Sequence, residues 1–204
     1  MYYEIGQPHG LRYSPFKALV VPRPIGWITS ISAEGRINLA PFSFFNGVSA
    51  DPPMVMFSCN GLHADGGVKD SVANVEATGE FVVNLASWDL RDQMNQTSAM
   101  VPRETNEMEL AGLAAAPSRL VRPPRVAASP AHLECRLLQI VRLPDGARGA
   151  PNFTVFGRVV AIHVDDRFIR DGLVDTAAMR PIARLGYHDY SVVDAVFALT
   201  RPGE

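Results

Sequence analysis

The chain is poor in features that mark several large classes of protein. Its 204 residues include only two cysteines, and the formal net charge is −2 at pH 7. A balance so close to neutral gives no electrostatic support for binding to nucleic acid or to a membrane surface. No apolar run approaches the ~20 residues of a membrane span, and residues 1–10 lack a basic start followed by an apolar stretch. We therefore expect a cytoplasmic protein without a secretory signal.

The two cysteines, Cys59 and Cys135, are far apart in sequence, and each lies in an apolar run typical of a strand. This placement favours buried thiols in a reducing compartment. A disulfide between them stays open at this point, because pairing is not fixed by sequence alone.

Several catalytic and cofactor motifs are also absent. No G-x-G-x-x-G follows a strand-like run, and there is no P-loop, so neither of these phosphate cradles is supported. Residues 47–51, GVSAD, resemble a nucleophile elbow but lack its final glycine. The histidines show no pair at metal-ligand spacing, and a solvated strand end explains His163, Asp165 and Asp166. We therefore expect no metal site.

Strand-like segments are what the sequence contains in number. A chain of this length with 47% hydrophobic residues predicts one globular domain over 1–204. Residues 19–40 are typical of a hairpin with its turn at Gly35. Further strands are predicted at 54–59, 80–87, 131–143 and 152–166. The last of these is apolar on both faces, which places it in the interior of a sheet.

Helices are fewer. One is predicted to begin at Asp70 or Ser71 and to end at Gly79, with Val72 and Val75 on one face. A second, short helix begins at Ser87. Many strands and few helices favour a mainly β fold, a β-barrel with a few peripheral α-helices.

Residues 100–131 are rich in proline, arginine and alanine and predict a long irregular excursion with one helical turn at 107–110. Its basic run RLVRPPR, residues 119–125, has no interleaved aromatics. This favours a solvated loop over a nucleic-acid patch.

The segment 38–58, NLAPFSFFNGVSADPPMVMFS, mixes aromatic and polar residues just before a buried strand. Phe42, Phe44 and Phe45 stand beside Ser43 and Asn46. A core needs aromatic side chains without amides and hydroxyls, whereas a pocket for a flat ligand with a polar edge needs both. The segment therefore predicts such a pocket.

This segment and its neighbours resemble the flavin reductase-like family, whose members have the FMN-binding split-barrel fold. The matching blocks are RPIGWITSIS (23–32), G-RINLAPFSFFNGVSADPPMVMFS (35–58), KDSVANVEATGEFVVNLAS (69–87), FGRVVAIHVDD (156–166) and RPIARLGYHDY (180–190). They occur in family order along most of the chain, and the excursion is the part least covered. Ser71 stands where the family usually has a threonine after Lys-Asp, which keeps the hydroxyl.

The resemblance implies an FMN site. Lys69 and Ser71 at a helix start suit the phosphate, and Thr29 and Ser30 can supply further hydroxyls. Backbone groups of residues 40–43, kept out of a regular ladder by a proline, are expected to meet the polar edge of the ring. The remaining candidates for contact with the flavin are Asn38, Ala40, Pro41, Phe42, Ser43, Phe44, Asn46, Ser58, Asn60 and Arg184, the last near the flavin or the nicotinamide.

Structural interpretations of these residues stay open as well. Lys69 can be a solvated lysine, Asn46 a turn residue and Arg184 half of a surface ion pair. Ser58 and Asn60 can simply end a strand. At least one phenylalanine of the segment belongs to the core, because aromatic side chains are usually buried.

The implied activity is an NAD(P)H-dependent flavin reductase, with FMN as cofactor and NADH or NADPH as co-substrate. Hydride transfer to flavin requires no acid–base residue, so no catalytic residue is assigned. The alternatives are an FMN-binding split barrel without nicotinamide turnover, serving electron transfer or ligand binding, and reduction of a disulfide or a small electrophile on the same fold.

The implied partners are a monooxygenase that receives reduced flavin and a second copy of the chain, forming a homodimer whose interface helps to build the flavin site. The excursion is a candidate arm toward that copy, and the alternative is that it covers its own barrel. Its apolar residues are Met108, Leu110, Leu113, Leu120 and Val121.

Overall fold

The computed structural model describes residues 1–203, in which strands dominate and helices are short. The strands are β1 (Arg23–Pro24), β2 (Gly26–Ile31), β3 (Ile37–Phe42), β4 (Phe45–Ala50), β5 (Pro53–Asn60), β6 (Glu80–Leu85), β7 (Ala115–Ala116), β8 (Arg125–Val126), β9 (Ala131–Leu143), β10 (Asn152–Val164), β11 (Ile169–Arg170), β12 (Leu173–Val174), β13 (Ile182–Arg184) and β14 (Tyr190–Val192). The helices are α1 (Phe16–Leu19), α2 (Asp70–Thr78), α3 (Arg91–Gln96), α4 (Glu107–Leu110) and α5 (Thr176–Met179), with 3-10 turns at Trp88–Leu90, Ala147–Gly149 and Asp166–Phe168. Within the described residues, no helix combines the length and apolar character that spanning a membrane would need.

The main sheet is antiparallel and rolls into a split barrel. Its strand order is β3-β2-β6-β9-β10-β5-β4. The two edge strands, β3 and β4, follow each other in the chain with only Ser43 and Phe44 between them. Since two residues cannot span an open seven-stranded sheet, the sheet must curl until its edges approach. The expected mainly β split barrel with a few peripheral helices is confirmed.

The centre of the sheet is the hairpin of β9 and β10, each 13 residues long. β10 lies between β9 and β5, so its predicted interior position is confirmed. The barrel interior is aromatic at its centre: the ring centroids of Phe42 and Phe57 are 4.9 Å apart, and those of Phe57 and Phe81 are 5.4 Å apart. The outer face of β10 is open at its far end, where Ile162 is 62% exposed.

Helix α2 closes one side of the barrel as its sequence predicts. Val72 and Val75 are buried against the barrel interior. The helix ends at Gly79, which has φ 73° and donates its backbone N–H to Val75 O at 2.8 Å. A left-handed conformation here favours glycine because it has no Cβ.

The hairpin predicted over 19–40 forms, but its first strand begins later, because residues 16–19 make the helical turn α1. The turn at Gly35 has φ 91°, as expected of a glycine there. Both cysteines are buried and free, and burial raises the pKa of Cys59 to about 11.

The excursion packs largely on its own barrel. Met108 and Val121 are 1% and 8% exposed, and Met108 belongs to a second core cluster with Trp27 and Leu39. Leu113 packs partly buried against the same cluster. The expectation that Met108 and Val121 reach a second copy is therefore wrong, because both side chains are buried within their own chain. Leu110 and Leu120 stay exposed.

Candidate functional site

Two adjoining cavities flank β3 and share Pro41 and Ser98 in their walls. The first, of about 120 Å³, is lined by Asn38, Ala40, Pro41, Phe42, His63, Lys69, Asp70, Ser71, Thr97, Ser98, Ala99, Met100, Val101 and Glu107. The second, of about 200 Å³, is lined by Lys17, Arg23, Ile25, Pro41, Ser43, Met94, Asn95, Ser98, Arg184, Tyr187 and Tyr190. Eight of the predicted flavin contacts thus meet in one continuous region: Asn38, Ala40, Pro41, Phe42, Ser43, Lys69, Ser71 and Arg184.

The start of α2 supplies the positive end of the first cavity. Lys69 stands at the N-cap position, and the helix has no side-chain cap. The neighbouring carboxylate of Asp70 is ion-paired with Arg103, which also binds Asp65 at 2.6 Å. Over residues 1–203, no carboxylate oxygen lies within 4.0 Å of the Lys69 ammonium. Lys69, together with the helix terminus, is therefore available to an anion.

Asn38 anchors the floor of this cavity. Its Nδ2 donates to Ser71 Oγ at 2.9 Å and to Ser30 Oγ at 3.3 Å. Because Ser71 accepts here, its own hydroxyl proton can point to a ligand. Asn38 was predicted as a contact, and the sheet register across β2 and β3 brings it opposite Ser30.

Thr29 and Ser30 lie behind the cavities. Both are 0% exposed, and neither lines a cavity wall. Ser30 Oγ accepts from Asn74 Nδ2 at 3.1 Å, and Thr29 Oγ1 accepts from Asn84 Nδ2 at 2.8 Å. In this chain their hydroxyls hold the sheet and α2 together, and Ser30 positions Asn38.

The flat wall between the two cavities is formed by the end of β3. Residues 40–42 pair with β2 along one side, so the expectation that Pro41 frees them from a ladder is wrong for that side. Their other side is unpaired because β3 is an edge strand, and a proline is tolerated at such an edge. Phe42 is both a pocket residue and a core residue, since it lines the first cavity and packs on Phe57.

Glu107 is a buried carboxyl group in the first cavity. It is 7% exposed, and its Oε2 accepts the backbone N–H of Leu39 at 3.0 Å. Burial raises the pKa of Glu107, and the negative charge of Asp70 adds to this effect. A carboxyl group that resists ionisation can donate a hydrogen bond as well as accept one.

The segment 97–101 covers the first cavity and is tied down at both ends. Thr97 Oγ1 accepts from Trp27 Nε1 at 2.9 Å. At the other end, His63 Nε2 lies 3.1 Å from Val101 O, and Arg103 follows with its pairs to two aspartates. This segment therefore forms a fixed wall beside the helix start.

The second cavity is cationic. Arg23 is held by the backbone oxygens of Lys17 and Val20, each at 2.6 Å, and of Leu185 at 2.9 Å. Burial lowers the pKa of Arg23, and the charge of Arg184 acts in the same direction. Arg184 itself donates to Tyr190 Oη and to Tyr187 O. It is not in a surface ion pair, because among the described residues no carboxylate lies within 4.0 Å of it.

Four predicted contacts lie apart from both cavities. Phe44 packs under the Arg23 guanidinium, 5.7 Å from ring centroid to Cζ. Asn46 is exposed on the edge strand β4, where its Oδ1 accepts from Gly47 N at 2.9 Å. Ser58 Oγ hydrogen-bonds to Thr154 Oγ1 at 2.8 Å, and Asn60 is exposed at the end of β5.

Several wall residues were missed from the sequence. Ser98 and Ala99 carry no chemical signature, and Glu107 is indistinguishable from a surface glutamate until Leu39 is placed beside it. Lys17 precedes the family-like blocks. Arg23, Asp70, Tyr187 and Tyr190 lie within those blocks, and for them the resemblance carried a signal that sequence reasoning could have used.

His163, near the end of β10, lines neither of the two cavities. His163 Nε2 lies 2.5 Å from Glu134 Oε1, and Asp165 caps a 3-10 turn while pairing with Arg167. Within residues 1–203, no group of three or more His, Cys, Asp or Glu side chains is placed to hold a metal ion.

Comparison with known proteins gives one family and a consistent set of structures. The model of the flavin reductase like domain matches residues 18–185. An uncharacterized protein of Halalkalibacterium halodurans is 39% identical over 186 residues, which span 90% of this chain and 87% of the relative.

Two crystal structures superimpose along nearly the whole chain. Nitrilotriacetate monooxygenase component B from Bacillus cereus is 29% identical with a TM-score of 0.82, over 97% of this chain and 100% of that chain. The 2-nitrobenzoate 2-nitroreductase of Pseudomonas fluorescens is 27% identical with a TM-score of 0.84, over 100% of this chain and 97% of that chain.

Proposed function

Because this chain belongs to the flavin reductase-like family, we propose that it is an FMN-dependent oxidoreductase that uses NADH or NADPH. The observation that carries the proposal is the Lys69 ammonium at an uncapped helix start, without a carboxylate partner in the described chain, beside a flat wall of Ala40, Pro41 and Phe42. An anion site next to a flat slot is what a ring bearing a terminal phosphate requires.

The residues present fit FMN. Lys69, Ser71 and the first backbone N–H groups of α2 would hold the phosphate. Asn38 and the free side of β3 would offer hydrogen bonds to the polar edge of the ring, and Phe42 an apolar face. When bound, FMN supplies the redox chemistry, taking up hydride from the nicotinamide.

The chain's own task in this proposal is to bind, orient and exclude water. The second cavity, with Lys17, Arg23 and Arg184, gives the anionic part of the nicotinamide nucleotide a cationic wall directly beside the flavin slot. The segment 97–101 shields the slot from solvent. Burial raises the pKa of Glu107 and so disfavours the charged form that would repel the phosphate.

We also propose that the flavin site is completed in a homodimer. Asn46, Ser58 and Asn60 line neither cavity of their own chain, so a second copy offers the route by which they reach the ring. Exposed apolar side chains on the same chain support an interface, including Val48 on β4 and Leu138 on β9, at 46% and 51% exposure.

The similarity to a monooxygenase component B supports a further partner, a separate oxygenase component that receives reduced flavin. Mixing the reduced protein with such a component and following substrate oxidation tests this. If substrate oxidation proceeds equally well when free, chemically reduced FMN replaces the reduced protein, the experiment gives no support for a specific partnership.

The experiment for the activity combines flavin titration with anaerobic reduction. FMN is expected to bind more tightly than FAD, because nothing in the two cavities resembles an adenine pocket. NADH or NADPH is then expected to bleach the visible flavin absorbance of the complex. An FMN complex that no nicotinamide nucleotide bleaches would point instead to an electron-transfer or ligand-binding module, and tighter binding of FAD would contradict the phosphate assignment.

A further inference from the structure

A third cavity of about 470 Å³ shares no wall residue with the two cavities of the candidate site. It lies between the loop around β8, the start of β9 and the last residues of β10. Its walls are Arg119, Arg125, Ala127, Ser129, His132, Ala161, Ile162, His163, Val164 and Asp165. Its volume is in the range of small-molecule sites, about 300–1,000 Å³.

Two arginines of this wall lack an acidic partner. In the part of the chain that the structure describes, no carboxylate oxygen lies within 4.0 Å of the Arg119 or Arg125 guanidinium. Asp165 does not supply one, because it is paired with Arg167 at 2.7 Å. Arg125 is held in place by Pro117 O, at 3.1 Å from its Nη2.

A buried carboxylate close by, that of Glu134, does not line the cavity. Glu134 is 0% exposed and accepts the backbone N–H groups of Arg119 and Leu120 at 2.8 and 2.6 Å, and it also pairs with His163 at 2.5 Å. Burial alone would raise the pKa of Glu134, but these three contacts outweigh it and lower the pKa. Glu134 thus fixes the loop by its backbone and leaves the Arg119 side chain for another partner.

The buried histidine in the wall adds no charge. His132 Nε2 lies 2.9 Å from Val126 O and must donate there, so its Nδ1 is an acceptor for Arg125 Nη1 at 3.5 Å. Burial lowers the pKa of His132 to about 4. The positive charge of the cavity at neutral pH therefore comes from the two arginines.

The apolar part of the wall consists of Ala127, Ala161, Val164 and a largely exposed Ile162, and the polar Ser129, His163 and Asp165 complete it. Guanidinium groups match the geometry of phosphate oxygens, and an apolar wall beside them suits a flat organic group. We propose that this cavity is a second binding site, which takes a phosphate ester with a nucleoside-sized body, such as a nucleoside diphosphate. The proposal does not rest on the proposed function.

The experiment is calorimetric titration of the full chain with ADP, pyrophosphate and adenosine. ADP is expected to bind wild type more tightly than either fragment. Arg119→Gln should weaken ADP about tenfold or more, because charge-assisted hydrogen bonds are lost. The matched control is Arg122→Gln in the same loop, whose side chain is 55% exposed, pairs with Glu80 and lies outside the cavity wall. It should leave ADP binding unchanged.

Two further sets of measurements test where the ligand binds. Lys69→Ala and a saturating amount of FMN should both leave ADP binding intact, whereas Ile162→Ser should weaken ADP more than pyrophosphate. Absence of ADP binding, an equal loss in both arginine variants, or displacement of ADP by FMN would overturn the site. Equal affinity for pyrophosphate and ADP would overturn the nucleoside part. Denaturant midpoints of the variants verify folding, so that a folded Arg119→Gln with unchanged affinity also overturns the proposal.

Discussion

Two adjacent residues at the start of α2 have opposite surroundings. Asp70 is neutralised by Arg103, whereas Lys69 has no such partner among the described residues. Arg103 forms a half-buried ion pair with Asp70, and it thereby arranges charge at the helix start. It removes the one carboxylate next to Lys69 that would compete with an anionic ligand.

Replacing Lys69 with alanine should therefore weaken FMN by about 1–3 kcal/mol, through loss of a charge-assisted hydrogen bond. Riboflavin, which has no phosphate, should lose little affinity. Fluorescence titration with both ligands measures the difference. Arg36→Ala, an exposed cation on the β2–β3 turn, serves as the control and should bind FMN like wild type. An equal loss for riboflavin would remove Lys69 from the phosphate site.

His132 predicts a pH dependence of stability. Its pKa in the folded chain is about 4, against 6.5 for an ordinary imidazole, because burial disfavours the charged form. The unfolded chain thus binds the proton first as the pH falls. The contribution of neutral His132 to the free energy of unfolding is about 3 kcal/mol. It is present above about pH 6.5 and is lost as the pH falls toward about 4.

Denaturant unfolding of His132→Gln between those pH values should show a smaller loss of stability than wild type. The exposed His188 provides the matched control, since His188→Gln should keep the wild-type slope. A His132→Gln variant that loses stability as steeply as wild type would assign the acid sensitivity to other groups.

At the scale of elements, Gly157 sets the geometry of the central hairpin. It lies at a register shift between β10 and β9, and a Cβ there would collide with the ring of Phe81 in the core. Gly157→Ala should lower the free energy of unfolding by about 1–3 kcal/mol, the usual effect of overpacking. Gly47→Ala, also in a strand but with a Cβ that would meet only Met54 O at 4.0 Å, should change stability far less. Thermal or urea unfolding distinguishes the two, and equal effects would contradict the clash.

The elements differ in how far sequence predicted them. The long strands of the β9–β10 hairpin, β5, and helix α2 with its glycine stop were predicted because each carries a local periodicity or a cap. The excursion was predicted as irregular apart from one helical turn at 107–110, and that turn is confirmed as α4. The excursion's contribution to the site depends on two contacts that are distant in sequence. Glu107 meets Leu39, 68 positions away, and Arg103 meets Asp65, 38 positions away. Local sequence patterns do not predict such contacts.

The residues of the candidate site likewise differ in how far the sequence identified them. Charged and aromatic positions such as Lys69 and Phe42 were found from residue type and family resemblance. Thr29 and Ser30 were named as contacts, yet they lie buried behind the walls, because a hydroxyl in a strand looks the same in sequence whichever way it faces. Small wall residues such as Ser98 could not be identified, since they contribute shape alone.

At the scale of the whole molecule, we expect a homodimer. Sedimentation at micromolar concentration should give a mass near twice 22.2 kDa. Val48→Glu, on the edge strand that carries Asn46, should lower the dimer fraction and the FMN affinity together. Leu173→Glu, 73% exposed in a separate hairpin, is the control and should alter neither. A monomer with full FMN occupancy would contradict the shared site.

The two-residue connection between β3 and β4 has a consequence for how the chain can be rearranged. Ser43 and Phe44 join the opposite edges of one sheet, so this connection acts as the seam that keeps the rolled sheet from opening. Loop insertions are usually tolerated well. Here the opposite is expected: a flexible insert between Ser43 and Phe44 would let the two strands separate and expose unpaired edges, which are sites of aggregation. Unlike the equally short turn between the paired neighbours β4 and β5, this connection is thus expected to tolerate lengthening poorly.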